Sequence, residues 1–251
     1  MLTSSYCFVF VLLIPIIYIL PFLKSRNQSR KDMTYRIALT GIMTALAVVL
    51  MLLEIALPLM PVFLKYDFSD IPALFTGFAC GPIAGILVEF FKNLIHMPLK
   101  GWASTHGIGN VANFISGSFF VLAATIVYRR MKNKKGVVLS LVFGTIALTI
   151  ATSFVNYFFC LPMYEKVMNF KLADIIFLCD KANTLVTIDS KLDVILMTFV
   201  PFNIFKGITI SIVSFLCYIP LRRFFETGKK EDVDVVEDSV IETAETAAEN
   251  A

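Results

Sequence analysis

Charge is scarce in this chain, and so are the residues that most enzymes work with. Of its 251 residues, 16% are Asp, Glu, Lys or Arg, and two are histidine. Neither histidine belongs to an HExxH or a His/Cys cluster, so no metal site is expected. The five cysteines, Cys7, Cys80, Cys160, Cys179 and Cys217, have no CxxC spacing. That excludes a disulfide framework and a redox pair, and leaves packing in apolar surroundings as their role. Gly107-Ile108-Gly109 has no third glycine at the fingerprint spacing, so a dinucleotide loop is rejected. There is no P-loop, nucleophile elbow or pair of catalytic carboxylates. The chain therefore carries no visible chemistry of its own for turnover or for coupling to ATP, and it is not expected to be an enzyme.

What is abundant is apolar. Hydrophobic residues make up 57% of the sequence, and the mean hydropathy is +0.78. Those values belong to an integral membrane protein. At about 20 residues per span plus loops, the length suits one all-α membrane domain of six or seven helices.

The first apolar stretch, Tyr6 to Leu23, has its basic residues after it rather than before it. A secretory signal has the opposite charge order, so this reads as an uncleaved extra N-terminal span followed by a basic linker, residues 1–35 together. Ile37 to Leu59 is the next span. Its Gly41 and Ala45 form a small-xxx-small pair that lets another helix approach closely. Pro58 to Ser69 reads as a loop. A short helix then begins at Asp70-Ile71-Pro72, with Ser69 or Asp70 as its cap, and ends at Gly81-Pro82. In the following span, Glu89, Lys92, Asn93 and His96 fall at i, i+3, i+4 and i+7. The expectation is a Glu89–Lys92 pair within a polar stripe at the membrane interface. Pro98 to Gly109 reads as a loop, Asn110 to Tyr128 and Gly136 to Leu161 as spans, and residues 162–193 as a long external connection whose Leu172–Leu178 run folds against the membrane domain. Residues 36–225 form the membrane domain, and 226–251 an acidic, disordered, cytoplasmic tail.

Fourteen of the Lys and Arg residues cluster in the segments 24–36, 129–135 and 222–230. Placed inside, they orient the C-terminus to the cytoplasm. Short basic loops of this kind are orientation signals, so nucleic acid is not an expected partner; the lipid bilayer is. Lys65, Asp67, Asp70, Thr105 and Asn156 then gather at outer helix ends, around a pocket that opens outward.

The last span contains Pro201-Phe202-Asn203-Ile204-Phe205-Lys206. A lysine at a helix centre in a membrane costs roughly 2.5–3.5 kcal/mol, and such residues mark functional sites or pair with a carboxylate. Asn203 and Lys206, three apart, share one helix face. A substrate-binding membrane subunit that draws energy from partners fits these features. A secondary transporter would show inverted repeats, which are not apparent here. A membrane enzyme would need a nucleophile or metal, and a structural membrane protein stays open at this point.

Five motifs then occur in order. They are Leu64-Lys65-Tyr66-Asp67-Phe68-Ser69-Asp70-Ile71-Pro72, Gly81-Pro82-Ile83-Ala84-Gly85 with Glu89-Phe90-Phe91-Lys92-Asn93-Leu94, Asn113-Phe114, Asn156-Tyr157-Phe158 with Leu161-Pro162, and Pro201 to Gly207. Together they resemble the substrate-binding S components of energy-coupling factor (ECF) importers, and within them the riboflavin-specific branch. The resemblance implies a six-helix S-component bundle in the plasma membrane that captures riboflavin from outside. Riboflavin would be cargo rather than a resident cofactor, and none is expected. A transmembrane coupling protein (T component) and two cytoplasmic ATPases would supply the energy. It also implies substrate contacts at Asn156, Asn203 and Lys206, with Asp67 and Asp70 beside them, and a coupling-protein contact at Gly41 and Ala45. Another vitamin, such as thiamin or biotin, or an ion-coupled secondary transporter, is the alternative. The N-terminal span and the length of the 162–193 connection depart from the family pattern.

Overall fold

The computed structural model describes residues 30–218 except 58, 59, 62, 132, 184 and 185. The N-terminal span, the basic segment 222–230 and the acidic tail lie outside the described residues. The chain divides into two units, Met1–Ile212 and Val213–Ala251. The first holds the bundle and everything discussed below; in the second, the described residues 213–218 are helical.

The elements are α1 (Arg30–Leu52), a two-stranded ribbon of β1 (Ile55–Ala56) and β2 (Lys65–Tyr66), α2 (Asp70–Cys80), α3 (Pro82–His96), α4 (Trp102–Thr105), α5 (Ile108–Arg130), α6 (Lys134–Val155), α7 (Leu161–Met168) and α8 (Leu172–Ala182). A last helical stretch, α9, spans Lys191–Tyr218. Among the described residues, four helical stretches are long and apolar enough to cross a membrane: Met33–Leu52, Ile108–Arg130, Lys135–Met168 and Lys191–Tyr218. With α2 and α3 they make six, the expected bundle.

The α2–α3 break is local chemistry. Gly81 has φ of 100°, a conformation glycine adopts freely, and Pro82 opens α3 where its missing N–H costs nothing. The two helices then fold back on each other and on α5. Small residues set that approach: a Cβ on Gly85 would meet the Ala73 carbonyl oxygen at 2.7 Å and the Val121 side chain closer still. The core between them is Leu74, Val88, Phe120, Val121 and Ala124, all buried. The outward faces are also apolar. Ile37, Ile42, Val142, Ile146, Ile150 and Phe154 are exposed, as suits helices whose solvent is lipid.

The expected break at Gly81-Pro82 is present, but those expected at Pro98 and Pro162 are not. The chain stays helical through Pro98, Pro162 and Pro201, and a π-helical turn accompanies each: Met97–Gly101, Asn156–Cys160 and Val194–Phe199. The N–H groups of Leu161 and Val200 reach back five residues, to Asn156 and Ile195. A proline lacks the N–H for its i−4 carbonyl and crowds it, and a widened turn relieves both problems. The expected loop at Pro98–Gly109 is thus mostly helical, and the span expected to end at Leu161 runs on to Met168.

That shortens the expected connection to the segment carrying α8. Its Ile175 and Cys179 are buried in a cluster with Leu64, Tyr66, Tyr164, Phe199 and Phe202. The Leu172–Leu178 run does fold against the bundle. Burial raises the Cys179 thiol to about 11, so it is a neutral packing group at neutral pH.

Candidate functional site

The cavity lies where the β-ribbon, α8 and the π-turns meet, and its volume is about 470 Å³. One wall is aromatic: Phe63, Tyr164, Phe199 and Phe202 line it, with Phe63 6.2 Å from Phe199 and 6.5 Å from Tyr164 between ring centroids. Asp67, Asn113, Asn156, Asn203 and Lys206 supply polar groups. Apolar walls with a few placed polar groups are what a small-molecule site requires.

Of the residues expected in the site, Asn156, Asn203, Lys206 and Asp67 come together in this cavity. The two asparagines are built alike. Asn156 Nδ2 donates to Thr152 O at 2.8 Å and Asn203 Nδ2 to Phe199 O at 2.7 Å, each one turn back along its own helix. Each bond fixes the amide plane and leaves one N–H and the carbonyl oxygen for another partner. Asn156 opens one π-turn, and the carbonyl that Asn203 bonds, at Phe199, closes another.

Lys206 is only 4% exposed. Its Nζ lies 3.3 Å from Asp67 Oδ2, 3.1 Å from Asp70 Oδ2 and 3.4 Å from Asn113 Oδ1. Asp67 has a second task. Its Oδ1 accepts from the Ser69 backbone N–H at 2.9 Å and from the Ser69 hydroxyl, which pins the turn into α2. Asp67 therefore both shapes the helix entry and pairs with the lysine. Asp70 does not cap α2, and Ser69 makes no side-chain cap bond either. Asp70 is fully buried behind the cavity wall, holding Lys206 with one oxygen and Lys92 with the other.

The polar stripe on α3 needs correction. Glu89 and Lys92 do pair, at 2.8–2.9 Å, but not at an interface. Glu89 and Lys92 are each 0% exposed, Asn93 3% and His96 2%. Their stripe faces inward because α2 lies alongside and brings Asp70 to Lys92. The result is a continuous buried network, Asp67–Lys206–Asp70–Lys92–Glu89. Burying any of these charges alone would cost several kcal/mol; together they compensate one another. Gly117 makes room for its end, since a Cβ there would collide with the Glu89 carboxylate.

Glu54, just past the end of α1, is also paired. It accepts from Lys65 at 2.7 Å and lies 3.0 Å from Lys100, tying the end of α1 to β2 and to the π-turn after α3. Glu54 and Lys65 both line the cavity. Tyr66 of β2 donates to Thr209 Oγ1 at 2.7 Å, fastening the ribbon to α9.

Asn113, Ser116, His96 and Asn110 were not among the expected site residues, yet all four line the cavity with Ser104 and Thr105. The i+7 spacing of His96 from Glu89 was the available signal, since it already placed His96 on the stripe. Gly41 and Ala45 lie far from this chemistry, on an exposed face of α1 with Ile42, Leu46 and Val49. A Cβ on Gly41 would meet nothing within 4 Å.

The family model for the substrate-specific component of ECF transporters matches residues 35–218. The riboflavin transporter FmnP of Bacillus subtilis is 35% identical over 198 residues, 79% of this chain and 97% of that protein. The riboflavin transporter RibU of Staphylococcus aureus is 35% identical over 204 residues, 81% of this chain and 99% of that one. Among solved structures, the S component of a bacterial ECF transporter superposes with a TM-score of 0.60 at 32% identity, covering 76% of this chain and 98% of its own.

Proposed function

The chain belongs to the substrate-specific components of ECF transporters, and from that membership we propose that it binds riboflavin at the outer face of the membrane for delivery inward. The observation that carries this reading is the cavity itself. It combines an aromatic wall with the amides of Asn156 and Asn203 and the ammonium of Lys206 among its polar groups. Riboflavin offers a flat apolar ring system whose pyrimidine-like edge alternates carbonyl and ring-nitrogen acceptors with an N–H donor. An amide can donate to and accept from such an edge, and a lysine can only donate. The likeness to riboflavin transporters of two other organisms supports the same cargo.

In this reading Asn156, Asn203 and Lys206 contact the ring edge, Asp67 sets the lysine from within the cavity and Asp70 sets it from behind. Gly41 and Ala45 let a transmembrane coupling protein lie against α1, and two ATPases on the cytoplasmic side hydrolyse ATP. The chain itself turns nothing over. The basic segments at 24–36 and 129–135 face the cytoplasm, as does the C-terminus.

The test is to titrate the detergent-purified protein into riboflavin and follow flavin fluorescence. Saturable quenching at one site per chain, without competition by thiamin or biotin, is the expected result. A folded, monodisperse protein that leaves the fluorescence unchanged would remove riboflavin as the ligand.

A further inference from the structure

The elements around the cavity are fastened in two different ways. The β-ribbon is tied in by polar bonds. Lys65 holds Glu54 at 2.7 Å, Tyr66 donates to Thr209 Oγ1 of α9 at 2.7 Å, and Asp67, next in the chain, meets Lys206 at 3.3 Å. The segment of α8 also reaches the cavity. Phe170, just before it, lines the cavity, and so does Leu178. Leu178 is 38% exposed as well, which places it at the mouth, between the cavity and the outside.

The hydrogen bonds of the α8 segment close on the segment itself. Asp180 Oδ1 accepts from the Ile188 N–H at 2.9 Å, and Cys179 O accepts from the Asn183 N–H at 2.9 Å. Toward the bundle, α8 offers the buried side chains of Ile175 and Cys179. They pack, together with Ile188, against Leu64, Tyr164, Phe199 and Phe202, all of which line the cavity. The Cys179 thiol also meets the Thr198 hydroxyl, a weak bond. A helix held by a few apolar contacts opens at less cost than one locked by a polar network. The helices on either side are sealed without it. α7 stops at Asn169, in the left-handed region at φ 51°, with the Phe170 N–H closing back on Tyr164 O at 3.2 Å. α9 starts after Ser190, where the side chains of Ser190 and Asp193 each accept from the other's backbone N–H. Releasing α8 breaks neither cap.

We propose that α8 is the lid of the cavity: it swings away as one piece to admit a ligand and packs back over it, while the β-ribbon stays in place. A ligand in the cavity meets Leu178 and Phe170 only when α8 is seated, so binding shifts the lid toward its closed position. The choice of riboflavin as the test ligand rests on the reading above; the lid itself does not.

Two cysteines make the experiment possible without a variant. Cys179 is buried on α8 and reports the lid; Cys80 is buried on α2 and reports opening of the bundle. The detergent-purified chain is treated with N-ethylmaleimide, and the labelling of each cysteine is followed by mass spectrometry of its peptide. Without ligand, Cys179 should label at least about tenfold faster than Cys80; saturating riboflavin should slow Cys179 about tenfold and leave Cys80 unchanged. Equal rates for the two cysteines would overturn the lid. So would a Cys179 rate that riboflavin leaves unchanged in protein whose flavin quenching shows it bound. Absence of quenching would strike at the riboflavin reading instead, and the ligand-free comparison would still decide for or against the lid. A second measurement reads riboflavin release by stopped flow. Ile175→Ala, which loosens the seat of α8, should speed release about five- to tenfold, and Phe177→Ala, at a position 65% exposed on the same helix, should not. Equal release from the unaltered chain and Ile175→Ala would also overturn the proposal.

Discussion

Lys206 Nζ stands 3.1 Å from Asp70 Oδ2, and Asp70 gives its other oxygen to Lys92. One carboxylate at the start of a short helix thus joins a cavity lysine on α9 to a lysine of α3 that never reaches the cavity. Lys206 is held from two sides, by Asp67 in the cavity and Asp70 behind it, before any ligand arrives. That preorganisation spares a ligand the cost of ordering a long, flexible side chain.

Replacing Lys206 with alanine should weaken riboflavin binding by about ten- to a hundredfold, the range for a lost charge-assisted hydrogen bond. The protein should still elute as a single species on size exclusion, because Asp70 keeps Lys92 and Asp67 keeps Ser69. Quenching titrations check the affinity, and an unchanged value would sink the assignment of Lys206 to the pocket.

Lys92→Met should act on stability first. It leaves Glu89 buried without its cation and Asp70 with Lys206 alone, at a cost of about 3–5 kcal/mol. Adding Glu89→Gln to the same chain should recover part of that loss by removing the stranded charge. Thermal unfolding in detergent reads both, and a double variant no more stable than Lys92→Met alone would refute the network.

Gly85→Ala should be destabilising by about 1–3 kcal/mol, since the added methyl meets the Ala73 backbone carbonyl at 2.7 Å and backbone cannot move aside. Gly41→Ala, where the methyl meets nothing within 4 Å, should leave unfolding unchanged. The paired measurement separates glycines that seat one helix on another from a glycine that leaves a face open.

Gly41→Leu and Ala45→Leu should divide binding from transport. Both positions are exposed on α1, so riboflavin quenching should match the unaltered protein. Uptake by cells that depend on external riboflavin should fall at least about tenfold, because a bulky side chain holds an approaching helix away. Normal uptake by both variants would place the coupling contact elsewhere.

The positions of the long spans and the identity of the polar intruders were legible from the chain alone. Runs of apolar residues, the Gly81-Pro82 break and the basic loops are local signals, and membrane thickness converts them directly into helices. Asn203 and Lys206 stood out because a polar side chain in such a run has few tolerable places to be; Asn156, Asp67 and Asp70 were singled out by the resemblance of their motifs to S components. The π-turns were not legible, since the same prolines that mark helix ends in water are absorbed here by a widened turn.

The sequence by itself determined that this is a helical membrane protein with polar groups to hide, because hydrophobic length and the cost of buried charge are properties of short segments. Only the tertiary structure decided which groups hide with which. Asp70 meets Lys92 across 22 positions and Asp67 meets Lys206 across 139. The i+3 spacing within α3 revealed Glu89–Lys92 but not the third partner, and so placed the stripe at an interface rather than in the core. Asn110 of α5 likewise meets His96 and the Asn93 carbonyl of α3. Pairings of that kind follow from how helices pack, and packing is set by where small residues such as Gly77, Gly85 and Gly117 allow two backbones to meet.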